Sequence, residues 1–316
     1  MRRRWLRVAA LLTFAILLAA FGRRVDWRAA AAAVRGADAG LLALALVANQ
    51  LSLGLKGVRW WVFLRPLGVR SLALVLRATF AGASINNLVV AQGGEGARVL
   101  LVSRAAGVSS ARVAAALALE RVLDAASYLT LLVGATWMVD LPEMLVRWRV
   151  IASVALGLIV ITMLGTRREQ QILRLRRRMT GDGGPEGRVR SYIRRFTSSA
   201  NDIASPGRLS LAMLLSLGAW ALQVVTYHVV ALAAHLPISL SGSVAAMLAI
   251  GISFLVRATP GNVGVFQLIY AMTVSRFGIA DGPAVAAALL IQMIQVLPTV
   301  LIGMFAAHGV TRRDFT

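Results

Sequence analysis

Cysteine is absent from the 316 residues, which removes disulfides, thiol nucleophiles and thiolate metal ligands. Histidine is scarce. His228, His235 and His308 are scattered along the chain and read as helix-end or interfacial side chains, so no imidazole-based metal site is expected. Charged residues make up only 15% of the chain, against roughly 25% in soluble domains. Long polar stretches are lacking as well. The longest, about 166–208, is too short and too rich in Arg and Gly to bury a core of its own. Ser84, Ser103 and Ser127 have no histidine nearby in sequence. The run of aspartates on adjacent turns that marks membrane phosphatidyltransferases is missing too, which disfavours metal-dependent phosphoryl transfer. No phosphate-binding glycine loop of an ATPase occurs. These absences argue against an enzyme and against any cofactor.

Apolar sequence dominates what is there. Hydrophobic residues make up 58% of the chain and the mean hydropathy is +0.74. Apolar blocks recur from end to end with about the 17–25 residues needed to cross ~30 Å of hydrocarbon. The expected fold class is therefore all-α, a polytopic integral membrane protein in which any activity is built from membrane helices. The net charge of +21 follows from arginines collected at the ends of apolar blocks, as the positive-inside rule requires. No basic surface with interleaved aromatics points to nucleic acid.

Met-Arg-Arg-Arg-Trp-Leu-Arg followed by an apolar run to Phe21 resembles a signal peptide without a small-residue cleavage site. It reads as a retained first helix, Trp5 to Phe21, with a cytoplasmic N-terminus. Val25–Arg35 reads as an interfacial helix on the far side, although Arg23, Arg24, Arg28 and Arg35 run against that orientation. A second helix covers about 39–64, where Lys56 and Arg59 are expected to snorkel towards the headgroups. Further helices are expected over about 111–139, 150–165, 209–234 and 283–307, the last kinked at Pro298. The chain reads as a single transmembrane domain, 1–316, with repeat-like halves at about 39–165 and 209–307 and a basic cytoplasmic loop at 166–208.

Two apolar units are interrupted. Leu72–Val90 breaks at Ala91-Gln92-Gly93-Gly94-Glu95-Gly96, and Ser243–Val256 breaks at Arg257-Ala258-Thr259-Pro260-Gly261-Asn262-Val263-Gly264. Such breaks at membrane depth are tolerated where they line a protein cavity. Leu88-Val89 and Leu255-Val256, Ala91 and Ala258, and Gly94 and Gly261 match at one constant offset. If both units are re-entrant hairpins, about six full crossings remain. Both termini and the Arg-rich stretch then fall on the cytoplasmic side, and the hairpins form an inverted repeat with a site near the midplane. Eight or more simple spans, or two glycine kinks in an inert bundle, are the alternatives.

Glu95, Glu120 and Asp124 lie in sequence apolar enough to span the bilayer. A charge there costs about 2.5–3.5 kcal/mol on insertion scales, so these acids mark a polar cavity or pathway. Glu120 and Asp124, one turn apart, share a helix face, and Arg121 lies about 100° around. Two close carboxylates in low dielectric do not both ionise cheaply, which makes Glu120, Arg121 and Asp124 candidates for gating or coupling by protonation. Simple pairing with Arg98 or Arg121 to fix helix packing is the competing reading. Each hairpin tip is expected to present free backbone N–H groups and an arginine, Arg98 or Arg257, suited to phosphate. The candidate binding set is Asn86, Asn87, Gly94, Glu95, Arg98, Arg257, Pro260, Gly261, Asn262, Gly264 and Gln267.

At these residues the chain resembles a known family. Asn86-Asn87 leading to Gly94-Glu95-x-x-Arg98, then Glu120-Arg121-x-x-Asp124, then Pro260-Gly261-x-x-Gly264 resembles the flippase-like family related to the transmembrane region of lysylphosphatidylglycerol synthases, over nearly the whole chain. The resemblance implies a multi-pass bacterial or archaeal membrane protein with a role in lipid translocation. The synthases' soluble aminoacylating domain has no counterpart in the sequence, so aminoacyl transfer is not carried over. Two departures stand out. Gln92-Gly93-Gly94 replaces the family's Pro-containing turn, and Gln267 stands where an acid is common and cannot titrate.

The combined expectation is a protein of the cytoplasmic membrane that binds and moves an anionic phospholipid or lipid-linked headgroup without an ATPase of its own. Arg98 and Arg257 would hold phosphate, Glu95 would contact the headgroup, and membrane lipids would be the partners. A non-transporting scaffold for a glycosyltransferase or lipid-modifying enzyme, and a small-solute transporter, are the other classes.

Overall fold

The computed structural model describes residues 27–88, 93–138, 147, 149–158, 203, 205–253 and 262–313. Every regular element among them is helical: α1 (Trp27–Arg35), α2 (Ala39–Leu64), α3 (Leu72–Leu88), α4 (Gly93–Ala105), α5 (Ser110–Met138), α6 (Arg149–Leu158), α7 (Pro206–Ala233), α8 (Leu240–Ser253), α9 (Val265–Val274) and α10 (Asp281–Arg313). The expected first helix, the greater part of the basic loop and the chain end lie outside the described residues.

Local chemistry sets the boundaries. Asp38 caps α2 by accepting a hydrogen bond from the Leu41 N–H at 2.9 Å, which satisfies one of the orphan donors of a helix start. Ser71 does the same for Leu74 ahead of α3. Four connections share one ending. A residue with positive φ (Gly68, Gly107, His235 or Gly278) is followed by an aliphatic residue whose N–H reaches back five positions. The bonds run from Val69 to Leu64, Val108 to Ser103, Leu236 to Ala231 and Ile279 to Val274. This is the left-handed cap with its hydrophobic closure. Two fall in each half of the chain.

Among the described residues, three helices are long and apolar enough to cross a membrane: 39–67, 206–233 and 281–306. Helix α5 has the length, at 29 residues, but carries Glu120, Arg121 and Asp124 in its middle. Helices α3 and α4, at 17 and 13 residues, rise about 26 and 20 Å, short of the ~30 Å hydrocarbon thickness. Gly93 through Gly96 are the first turn of α4 rather than part of an irregular break, so any irregular backbone in the first interruption is confined to residues 89–92, outside the described set.

Helix α7 runs along α2, and α10 packs along α3. Glycines allow the closest approaches. A Cβ on Gly94 would lie 2.0 Å from the Gly82 carbonyl oxygen, and one on Gly303 would lie 2.6 Å from the Phe80 carbonyl. This is the small-residue contact by which membrane helices pack. Leu44, Val47 and Leu51 of α2, Leu211 and Leu214 of α7, and Leu297, Leu301 and Phe305 of α10 all face outward. Their helical spacing makes apolar stripes suited to lipid.

The interior divides into two apolar clusters. One gathers Ala45, the C-terminal part of α7, the first half of α10, and α8 and α9. The other gathers Trp60, Phe63, Leu64, α3, α4 and the start of α7. Polar side chains separate them. Along α2 the order is Ala45, then Asn49, Ser52, Lys56 and Arg59, then Trp60. Along α7 it is Ala212, then Ser216, Trp220 and Gln223, then Tyr227. Both runs lie around the middle of their helices, so the polar layer sits near the midplane.

Candidate functional site

One part of that layer is ionic. Arg59, fully buried on α2, donates through Nη2 to Glu120 Oε1 at 3.0 Å, and through Nη1 to Asp124 Oδ1 and Ser216 Oγ at 2.6 Å each. Glu120 accepts on its second oxygen from Arg98 Nη2 at 3.0 Å. Asp124 Oδ2 lies 3.6 Å from Arg121, whose other nitrogen meets Glu95 at 2.5 Å. The side chains thus form one alternating chain: Glu95, Arg121, Asp124, Arg59, Glu120, Arg98. Three carboxylates face three guanidiniums and the charges balance. Exposure falls along it, from 47% at Arg121 to 0% at Arg59. Arg98 ends the chain with its guanidinium 4.1 Å from the centroid of the buried Trp60 ring, a desolvated cation–π contact.

Helix geometry explains the assembly. Glu120 and Asp124 share the face of α5 turned towards α2, so one planar guanidinium spans both acids, and Arg is suited to such a fork. Arg121, around the helix, reaches Glu95 in the first turn of α4. Arg98, one turn after Glu95, takes the far oxygen of Glu120. Single charges at this depth are costly, and a closed chain of ion pairs removes the net charge.

The structure corrects three expectations. Arg59 does not snorkel to the surface, because the two acids opposite hold it inside. The hairpin tips do not present free N–H groups at Gly94 or Gly264. Asn86 Oδ1 accepts from the Gly94 N–H at 3.0 Å, and Gln267 Oε1 accepts from the Gly264 N–H at 2.6 Å. Arg98 does not stand open at a tip but lies between Glu120 and Trp60. Gln267 is tied further, donating to Gln292 Oε1 at 2.5 Å. Asn262 is buried in a left-handed conformation, φ 58°. Arg257, Pro260 and Gly261 fall outside the described residues. The structure therefore joins Glu95, Arg98, Glu120, Arg121 and Asp124 in one chain and places Asn262, Gly264 and Gln267 in the second half, apart from it. His228 and His235 contact Ser243 Oγ and the Gly36 carbonyl, each at 3.0 Å.

The second part of the polar layer is a cavity of about 260 Å³ beside the ionic chain. Asn49, Ser52 and Lys56 of α2, Asn87 of α3, Gln223 of α7 and Gln295 of α10 supply its polar lining. Its amides are linked. Gln295 Nε2 donates to Gln223 Oε1 at 3.1 Å, and Gln223 Nε2 donates to Asn49 Oδ1 and Ser52 Oγ at 3.1 Å. Of the candidate binding set read from the sequence, Asn87 lines it; Lys56, expected to snorkel towards the headgroups, lines it as well. Asn49, Gln223 and Gln295 were missed because a lone amide in an apolar helix carries no motif. A signal for Arg59 did exist: three acids in apolar sequence need cations, and Arg59 stands inside an apolar block.

A model of the family described as the lysylphosphatidylglycerol synthase TM region matches residues 6–303. The chain is also 26% identical over 339 residues to a Haloferax volcanii protein named Glycosyltransferase AglD, covering 96% of this chain and 54% of that relative. It spans about half the length of that curated protein.

Proposed function

The chain belongs to the family of the lysylphosphatidylglycerol synthase transmembrane region, and from that premise we propose that it moves an anionic phospholipid or lipid-linked headgroup across the cytoplasmic membrane. The observation that carries this reading is the charge-balanced chain of six ionic side chains at mid-depth, bordered by a polar cavity. An inert bundle gains little from such a chain, because well-packed apolar residues of similar volume serve stability as well or better. Ionisable groups inside a membrane are instead the mark of a pathway.

Glu120 is the pivotal group. Its two oxygens hold Arg59 and Arg98. A phosphate that takes the place of this carboxylate engages both guanidiniums through their planar forks, without any change in covalent structure. Helices α3–α4 and α8–α9 act as two short hairpins, and Asn87 and Gly251, near the C-terminal ends of α3 and α8, both border the cavity. That supports a midplane site between repeated broken elements. The protein acts without catalysing a covalent reaction and with both termini cytoplasmic.

The test is movement of headgroup-labelled phospholipid in proteoliposomes, comparing wild type with Glu120→Gln and Asp124→Asn. Protein-dependent movement that both substitutions abolish supports the reading. Movement indifferent to both substitutions overturns the assignment of the ionic chain. The relative's name favours one second reading: a non-transporting membrane scaffold for a glycosyltransferase. In that case no lipid moves in proteoliposomes, and the glycosyltransferase co-purifies with the chain.

A further inference from the structure

Lys56 is the single lysine among 34 basic side chains. It stands in the polar layer, and it is the one charged residue among the described residues that line the cavity. Its neighbour Arg59, one turn on, is matched by two carboxylates. Lys56 makes no ion pair with any described carboxylate. Its ammonium lies 5.4 Å from the centroid of Trp220, another lining residue. Because the arginines and acids of the neighbouring chain already balance, Lys56 leaves this region of the membrane interior with one positive charge uncompensated. A charge at this depth calls for a counter-charge.

The remaining polar lining consists of neutral amides and hydroxyls, which both donate and accept. Gln223 is spent on Asn49, Ser52 and Gln295. No described hydrogen bond to a side-chain atom of Asn87 uses up that amide. Among the described lining residues the pattern is one compact cation and no acid, with amides and hydroxyls sharing the wall with Leu53, Ala83, Met247 and Ile250. A volume of about 260 Å³ leaves room for a phosphate and a small polyol.

We propose that this cavity is the headgroup site and that it takes a phosphate ester bearing an uncharged, hydroxyl-rich group, with Lys56 on the phosphate and the amides on the hydroxyls. This rests on the translocation reading and narrows its substrate class. An aminoacyl headgroup such as a lysyl ester brings two ammonium groups to a wall that offers Lys56 and no carboxylate. The cavity therefore selects against that headgroup.

The experiment is equilibrium binding to the full chain in nanodiscs, with short-chain phosphatidylglycerol, its lysyl ester, inorganic phosphate and glycerol phosphate as probes. Wild type is expected to bind phosphatidylglycerol roughly tenfold or more tightly than the lysyl ester, and Lys56→Gln to lose that binding by a similar factor. Lys56→Arg, which keeps the charge, is expected to retain part of it. Competition by glycerol phosphate at concentrations where inorganic phosphate does not compete assigns the site to the esterified headgroup. Equal competition by inorganic phosphate reduces it to a free-phosphate site and overturns the headgroup claim. Preference of wild type for the lysyl ester overturns the proposal without any variant, as does phosphatidylglycerol binding unchanged in a folded Lys56→Gln protein. The readout is binding, so a protein that moves lipid yet fails here refutes this inference alone. A protein that binds as expected and moves no lipid refutes the translocation reading alone.

Discussion

Arg59 on α2 and Glu120 on α5 meet at 3.0 Å with side-chain exposures of 0% and 3%, and this pair is the centre from which the ionic chain extends to Arg98 on one side and Asp124 on the other. Removing one partner of such a pair strands the other in low dielectric. Arg59→Leu leaves Glu120 with Arg98 alone and Asp124 with the more distant Arg121. It is expected to destabilise the protein by about 3–5 kcal/mol, read as a lowered midpoint of unfolding in mild detergent. Adding Glu120→Leu to Arg59→Leu restores part of that loss. A double variant no more stable than the single one contradicts the pairing.

Glu95 and Arg121 form the outer end of the chain, at 22% and 47% exposure. An exposed pair contributes only about 0–1 kcal/mol, so Glu95→Gln leaves the unfolding midpoint nearly unchanged. Its effect is further reduced by added salt. A loss as large as that of Arg59→Leu would mean that Glu95 is shielded from water.

Gly94 and Gly96 lie on the same turn of α4 but face opposite surroundings. A Cβ on Gly94 meets the Gly82 carbonyl at 2.0 Å and Asn86 Oδ1 at 2.7 Å, whereas one on Gly96 meets nothing within 4 Å. Gly94→Ala forces α3 and α4 apart and is expected to cost about 1–3 kcal/mol. Gly96→Ala is neutral or stabilising by up to about 1 kcal/mol through helix propensity. Thermal unfolding of the two variants side by side decides it.

Gln267 is expected to matter as an amide. Its oxygen satisfies the Gly264 N–H and its nitrogen donates to Gln292. Gln267→Leu strands buried polar groups, at about 1–3 kcal/mol. Gln267→Glu keeps an acceptor for the Gly264 N–H but buries a carboxylate with no cation beside it among the described residues, and is expected to cost at least as much as the leucine. A leucine variant as stable as wild type in the same unfolding assay removes the structural role assigned to this contact.

Sequence alone determined the longer helices, because apolar length acts within a few residues of itself and periodicity reveals it. The start of α4 at Gly93, read from sequence as part of an irregular break, was not among them. The expected helix at 39–64 coincides with α2, and that at 111–139 with α5 to within a residue. It also exposed Glu95, Glu120 and Asp124, because an acid in apolar sequence is costly wherever its partner lies. Only the tertiary structure decided who the partners are. Arg59 pairs with residues more than sixty positions away, and its position near one end of an apolar block points equally well to the surface. The cavity is a stronger case. Asn49, Lys56, Asn87, Gln223 and Gln295 come from four helices and form no pattern along the chain. Their meaning arises only when packing brings their faces together, because hydrogen bonds and charges act over distances in space that sequence separation does not encode.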